Sequence, residues 1–276
     1  MRRVPKNPGV SAAGAPMSAP LTAPLAVRDH AAIVIALVGV SLVAWIYLWD
    51  LAQGMVAMDA SMSGAIETAR PPWSGTIFAL MFVMWWVMML GMMLPGAMPM
   101  ILTFATANRR QRARGGAFVP IAVFVGGYLA VWGGFSLAAT LAQAALVHAT
   151  LMLPSMRLES ATLGGLLFIC AGIYQWTPLK RACLGKCRTP VDFVINHWRD
   201  GRLGALRMGV VHGAFCVGCC AVLMGLLFAG GVMNLLWVAA IAVVVLVEKL
   251  LPAGERVARL GGMLLVGIGA YMILSA

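Results

Sequence analysis

Seven apolar runs, separated by short polar or charged segments, constrain the fold of this chain more than any other feature. A transmembrane helix needs about 20 consecutive apolar residues. Only 11% of the chain is charged, against about 25% in a typical soluble domain. We therefore predict an integral membrane protein of the all-α class, a polytopic transmembrane helical bundle. The predicted spans are residues 31–51, 75–95, 118–142, 161–177, 208–230, 234–250 and 260–275.

Two regions depart from simple spans. Residues 1–28 are rich in Pro, Ala, Ser and Gly and cannot bury a core, so we predict a disordered cytoplasmic tail ahead of a bundle that covers residues 29–276. The second apolar run continues past Pro95 and Pro99. Each proline removes a backbone donor, so we expect a kinked or broken helix there.

The basic residues alternate from one connecting segment to the next. With a cytoplasmic N-terminus, every Lys and Arg except Arg70 and Arg157 falls on the cytoplasmic side. The positive-inside rule then predicts an N-in, C-out, multi-pass protein of the bacterial inner (cytoplasmic) membrane. The same rule explains the formal net charge of +11 without a nucleic-acid partner, so the predicted surroundings are the lipid bilayer.

A cysteine-rich stretch in the fifth span carries the strongest chemical signal. His212, Cys216, Cys219 and Cys220 follow one another at intervals of three or four residues, or directly, which places them on about a third of a helix surface. Thiolate and imidazole suit Cu(I) or Zn(II). Because Cys also packs as a small hydrophobe, packing is the alternative, but three thiols and a His on one stripe favour a metal site.

Methionines mark the second span. Met81, Met84, Met88 and Met92 form one stripe, and the thioether is a soft, uncharged ligand selective for Cu(I). The alternative is that Met merely fills the core. In the predicted topology, the cytoplasmic halves of the second and fifth spans share one depth. We therefore predict that Met88, Met92 and Met93 complete the site of Cys216, Cys219, Cys220 and His212.

Other thiols and charges lie near the cytoplasmic side. Cys183 and Cys187, with His197, either form a second, exposed site or belong to a solvated basic loop. Cys170 is interpreted as packing. Glu248 either faces the bundle and supports His212 or lies at the interface, where Lys249 is expected to extend toward water.

Two sets of methionines fall on the predicted outer side. The first contains Met55, Met58 and Met62, and the second contains Met152 and Met156 with His148. They either capture a metal with neutral ligands or fill interfacial helices.

Three motifs resemble signatures of one bacterial family. They are Trp86-x-Met88-Met-x-x-Met92-Met93-Leu-Pro95, Cys183-Leu-x-x-Cys187 within residues 174–190, and His212-Gly-x-x-Cys216-Val-Gly-Cys219-Cys220. The chain resembles, over residues 75–275, the predicted metal-binding integral membrane proteins often labelled copper chaperones. The resemblance implies metal binding at the matching Cys, His and Met positions.

The sequence therefore favours a non-enzymatic protein that handles a soft metal, with Cu(I) as the first choice and zinc as the alternative. It would deliver the metal to a membrane metalloenzyme or pass it across the bilayer. Two alternatives remain: a scaffold subunit of a membrane enzyme complex, and a transporter of another solute whose Cys and Met residues only pack. Since Cys219 and Cys220 point about 100° apart on a helix, we expect at most one of them to coordinate fully.

Overall fold

The computed structural model describes residues 27–62, 74–153 and 156–276, and within these ranges the chain is all-α. Its β-structure there is one isolated bridge between Met152 and Leu158. The helices of the described residues are α1 Val27–Met62, α2 Gly75–Ala113, α3 Ile121–His148, α4 Ala161–Tyr174, α5 Pro178–Arg188, α6 Pro190–His197, α7 Gly201–Gly225, α8 Leu227–Gly230, α9 Leu235–Leu250 and α10 Gly254–Leu274. The predicted tail, residues 1–28, lies almost wholly outside the described residues.

Helices occur at all seven predicted spans, and five of them are long and apolar enough to cross a membrane. These five are Arg28–Gly54, Gly75–Ala113, Ile121–His148, Gly201–Gly230 and Gly254–Leu274. The fourth and sixth predicted spans fold as α4, of 14 residues, and α9, of 16 residues. Both are shorter than the roughly 20 residues that a full crossing needs, so the count of seven stays a prediction.

Of the two alternatives for the second span, a broken helix does not occur, and a kink stays a prediction. α2 is one helix of 39 residues with Pro95 and Pro99 inside it. Leu94, Ala97 and Met100 are buried around the two prolines. A helix that contains proline is tolerated where neighbouring helices pack around it.

Glycines bring two pairs of helices into backbone contact. A Cβ atom on Gly209 of α7 would collide with the carbonyl of Phe124 in α3, and one on Gly127 of α3 would collide with α7. In the same way, a Cβ on Gly172 of α4 or on Gly262 of α10 would collide with the other helix of that pair. Small residues at such crossings let membrane helices approach closely, which fixes α7 against α3 and α10 against α4.

Several connecting segments meet at one end of the bundle, which we call the basic end. Arg109, near the end of α2, pairs with Asp29 at the start of α1. Gln111 donates to Asp200, before α7, at 3.2 Å. Arg188, at the end of α5, donates to the carbonyl of Leu251 at 2.8 Å. The basic end comprises residues 28–30, 108–120, 175–202 and 250–259.

The segments before α4 and around α8 meet at the opposite end, which we call the Met156 end. The backbone amide of Leu158 donates to the carbonyl of Phe228 at 2.9 Å, and that of Val232 donates to the carbonyl of Met156 at 3.2 Å. The Met156 end comprises residues 149–153, 156–160 and 226–236.

The two short helices also run between these ends. The indole of Trp237, near the start of α9, donates to the carbonyl of Leu226 at 2.9 Å, whereas Leu251 after α9 lies at the basic end. Trp176, just after α4, donates to the carbonyl of Arg259 at 3.1 Å. The helices α1, α2, α3, α4, α7, α9 and α10 therefore alternate in direction between the basic end and the Met156 end.

Candidate metal centre

Three helices bring sulfur atoms together inside the bundle. α7 carries Cys216, Cys219 and Cys220, all at most 2% exposed, and α2 carries Met93, which is 1% exposed. α5 adds Cys183 and Cys187. These six sulfur-bearing residues, Met93, Cys183, Cys187, Cys216, Cys219 and Cys220, are called the sulfur cluster below.

Local sequence signals form α5 and turn its apolar side inward. Pro178 occupies the first turn, and the side chain of Thr177 caps the helix by accepting from the amide of Lys180 at 3.2 Å. Both features are preferred at helix N-termini. The helix then buries Lys180, Cys183 and Leu184, so the thiols of α5 face α7.

The adjacent residues Cys219 and Cys220 face different neighbours. The Sγ of Cys219 lies 4.0 Å from the Sγ of Cys187, and the Sγ of Cys220 lies 3.9 Å from the Sδ of Met93. Both thiols donate to the carbonyl of Cys216, at 3.0 and 2.9 Å. This arrangement follows from the angle of about 100° between successive side chains on a helix, and it brings α2 and α7 together at Met93 as the topology predicted.

Cys216 has two polar partners that sequence reasoning missed as site residues. Its Sγ lies 3.0 Å from the Nζ of Lys249 and 3.1 Å from the hydroxyl of Tyr128. Lys249 was expected to extend toward water, but it is 6% exposed, and its Nζ also lies 3.5 Å from the Sδ of Met93. Gly96 makes room for the lysine stem, since a Cβ there would lie 3.2 Å from the lysine Cδ.

The buried ammonium changes the chemistry of the thiol beside it. A cation 3.0 Å from a sulfur atom favours negative charge on that sulfur, and the attraction is stronger in an apolar interior than in water. Lys249 is therefore placed to stabilise the thiolate form of Cys216, and the thiolate is the form of cysteine that binds metals. The only sequence signal for this role is an ionisable residue near the end of an apolar helix.

Glu248 faces the bundle, as one alternative held, but the predicted support of His212 is wrong. Its carboxylate accepts from the Nζ of Lys180 at 2.6 Å and from the Nε2 of Gln175 at 2.8 Å. Glu248 and Lys180 are each 1% exposed. The pair fastens α5, and with it Cys183 and Cys187, to α9.

His212 lies one helical turn before Cys216 and is surrounded by aromatic rings. Its ring centroid is 5.6 Å from that of Tyr128, 6.2 Å from that of Phe124 and 5.5 Å from that of Phe193. Its buried Nδ1 has no hydrogen-bond partner among the described residues. A neutral imidazole nitrogen left this way keeps a lone pair or a proton unused, so the role of His212 as a ligand stays a prediction.

Met88 and Met92 are buried on α2, at 1% and 3% exposure. Met93 is the α2 methionine whose sulfur lies beside a cluster thiol. The prediction that Met88 and Met92 are ligands therefore also stays open.

Cys183 and Cys187 join the α7 thiols instead of forming an exposed site with His197. Cys183 is 8% exposed, and a Cβ on Gly218 of α7 would lie 2.7 Å from its Sγ. Burial, followed by the nearby Cys219, raises the pKa of the Cys183 thiol. The Nδ1 of His197 lies 3.1 Å from the carbonyl of Phe193, and the two rings stack.

The remaining predicted residues lie elsewhere. Cys170 was expected to pack but is exposed on α4. Met152 is buried and Met156 is partly buried at the Met156 end, whereas His148 is exposed. The side chains of Met55, Met58 and Met62 lie outside the described part of the structure.

The arrangement of the thiols bears on the choice of metal. Among the residues that the structure describes, no three or more His, Cys, Asp or Glu side chains are arranged to hold a metal ion together. The sulfur contacts include Cys187 with Cys219 at 4.0 Å and Cys220 with Met93 at 3.9 Å, a mixture of thiol and thioether groups of the kind that soft metals prefer.

One comparison with known proteins gives a match. A family model described as copper chaperone, PpoB2, matches residues 82–272. No curated protein and no solved structure matches the chain. The matched range contains the whole sulfur cluster together with Tyr128 and Lys249.

Proposed function

Because this chain belongs to the copper chaperone family, whose model spans residues 82–272, we propose that it is a non-catalytic membrane protein that carries Cu(I) in the sulfur cluster. One observation carries this proposal: helices α2, α5 and α7 bring thioether and thiol sulfurs together in a buried site. The family-model match over residues 82–272 confirms the motif resemblance. Copper is cargo here, which the protein binds and releases.

The proposed ligands are Cys216, Cys219 and Cys187, with Cys220 and Met93 as the second sulfur pair; the three thiols are not arranged around one ion in the structure and would close around it on binding. Lys249 stabilises the site when no copper is bound. A buried thiolate without a counter-charge would be costly, and the ammonium 3.0 Å from Cys216 supplies that charge while copper is absent. The site can therefore lose its metal without leaving an uncompensated charge in the bundle, which suits a carrier better than a permanent metal site.

Delivery to a membrane metalloenzyme fits the position of α5. This short helix lies at the basic end and holds Cys187 beside Cys219, so it lies between the α7 thiols and the segments that a partner at the basic end would contact. A scaffold subunit, or a transporter whose Cys and Met residues only pack, would not need a lysine beside a buried thiol.

We expect the purified full chain, reduced and kept anaerobic, to retain Cu(I) against a competing chelator and to prefer Cu(I) over Zn(II). X-ray absorption should show a metal shell made of sulfur. Met93→Leu keeps volume and apolarity nearly constant but removes one thioether, and it should weaken Cu(I) binding by roughly threefold to tenfold. A protein that retained no Cu(I), or that retained Zn(II) in preference, would contradict the proposed function.

We further propose that the protein crosses the bilayer seven times with the basic end in the cytoplasm. The alternation of seven helices between the two ends supports this topology. With only the five long helices crossing, the basic residues of α5 would face outward, against the positive-inside rule.

Labelling of intact cells tests this orientation. Arg114 lies at the basic end and Ala149 at the Met156 end, and both are exposed. We expect Ala149→Cys to react with an impermeant maleimide in intact cells, and Arg114→Cys to react only after permeabilisation, each measured above the wild-type background. Reaction of Arg114→Cys in intact cells would reverse the topology.

A further inference from the structure

A buried glutamine at the Met156 end holds its amide against two methionines. Gln143 is 1% exposed, and its Oε1 accepts from the indole of Trp85 at 2.7 Å. Since an indole nitrogen only donates, this bond fixes which way the amide faces. The Nε2 then lies 3.7 Å from the Sδ of Met81 and 3.5 Å from the Sδ of Met156.

The two sulfurs come from different parts of the chain. Met81 belongs to the second turn of α2, and Met156 to the segment before α4. Met156 has a φ of 55°, a left-handed conformation that costs a non-glycine residue about 1–2 kcal/mol. Its carbonyl accepts from the amide of Val232, which helps to hold this backbone in place. Both side chains are partly buried, in contrast to the fully buried methionines farther along α2.

Buried methionines continue from this pair toward the sulfur cluster. Met84, Met88 and Met92 follow Met81 on the same stripe of α2, and each is at most 3% exposed. Successive members are separated by about 4.5–6 Å along the helix axis. Next to Met92 in sequence lies Met93, whose Sδ is 3.9 Å from the Sγ of Cys220.

We propose that Met81 and Met156 form a second Cu(I) site, from which Met84, Met88 and Met92 pass the ion to Met93 and Cys220. This inference rests on the proposed function, because it supplies copper to the sulfur cluster from the opposite end. Each transfer is a ligand exchange in which one Cu–S bond breaks as another forms. Copper stays Cu(I), no electron moves, and each thiol that becomes a ligand releases its proton to water.

The choice of ligands gives the path a direction. Thioethers are neutral and soft, so they accept Cu(I) without burying an uncompensated negative charge. Thiolates are charged and bind Cu(I) more tightly, so the free energy of the bound ion falls when it reaches Cys220 and Cys216. Simple core filling would explain buried methionines, but it does not require two partly buried methionines from separate segments to share one fixed amide.

The test uses the full chain in proteoliposomes that hold a Cu(I)-chelating dye inside, with Cu(I) supplied outside under reducing, anaerobic conditions. The double variant Met81→Leu/Met156→Leu keeps volume and apolarity nearly constant. It should lower the rate of dye loading by about tenfold or more. Met100→Leu is the matched control, since Met100 is a buried α2 methionine beyond Met93, and it should leave the rate within about twofold.

A parallel Cu(I) titration in detergent separates this inference from the proposed function. The double variant should still load the sulfur cluster with wild-type affinity. Equal dye loading by the double variant and the wild type would overturn the second site, as would a wild type that binds Cu(I) but never loads the dye. A wild type that binds no Cu(I) would overturn the proposed function and this inference together.

Discussion

Replacing Cys216 with Ser should weaken Cu(I) binding by about tenfold or more, equivalent to about 1.4 kcal/mol, while the bundle still assembles. The substitution exchanges a soft thiolate for a hydroxyl at almost unchanged size. Cys216 is the thiol nearest to Lys249, so its loss also leaves the buried ammonium beside a neutral group. The measurement is competition with a Cu(I) chelator at equal protein yield.

Cys170→Ser is the control for this experiment. It makes the same chemical change on α4, where the thiol is exposed on the outside of the bundle. We expect wild-type Cu(I) affinity from it. If both serine variants bound copper as the wild type does, Cys216 would be a packing residue and the proposed centre would lose its main ligand.

Replacing Lys180 with Met should destabilise the protein by about 3–5 kcal/mol. The change removes one partner of a buried ion pair whose charged atoms lie 2.6 Å apart and leaves Glu248 uncompensated. α5 should then detach from α9 and carry Cys183 and Cys187 away from α7. Unfolding of the full chain in detergent, followed by helical signal, measures the loss of stability.

Two further variants isolate the cause. Lys180→Met combined with Glu248→Gln removes both charges and keeps an acceptor for Gln175, so most of the stability should return. Lys186→Met breaks an exposed pair with Asp192 and should cost at most about 1 kcal/mol. Equal losses from Lys180→Met and Lys186→Met would show that the buried pair does not hold α5.

The class of fold and the position of the helices could be predicted from the sequence because hydropathy is a local property. The meeting of Met93 with Cys220 also followed, since positive charges on the connecting segments gave the depth of each span. The sequence left a kink and a break open at Pro95, and the helix is continuous there, inside a packed region that no local pattern records. Span count and orientation remain untested predictions.

The partners of charged side chains could not be predicted. Glu248 and Lys249 are adjacent in sequence, and on a helix they point about 100° apart. Glu248 therefore contacts Lys180, whereas Lys249 contacts Cys216. Only the packed bundle shows these pairings. Helix α5 was not predicted, for a different reason. Thr177 and Pro178 indicate a helix N-terminus, but the basic residues that follow favoured a solvated loop.

The divergence of Cys219 and Cys220 has a consequence for how a metal leaves the protein. Cys219 contacts the sulfur of Cys187 from α5, and Cys220 contacts the sulfur of Met93 from α2. An ion could therefore exchange one set of partners for the other by stepping a single residue around α7, with hardly any displacement along the helix. Supply and withdrawal would then occur on faces of the same helix that are about 100° apart, so that an incoming ion and a departing recipient need not occupy the same space.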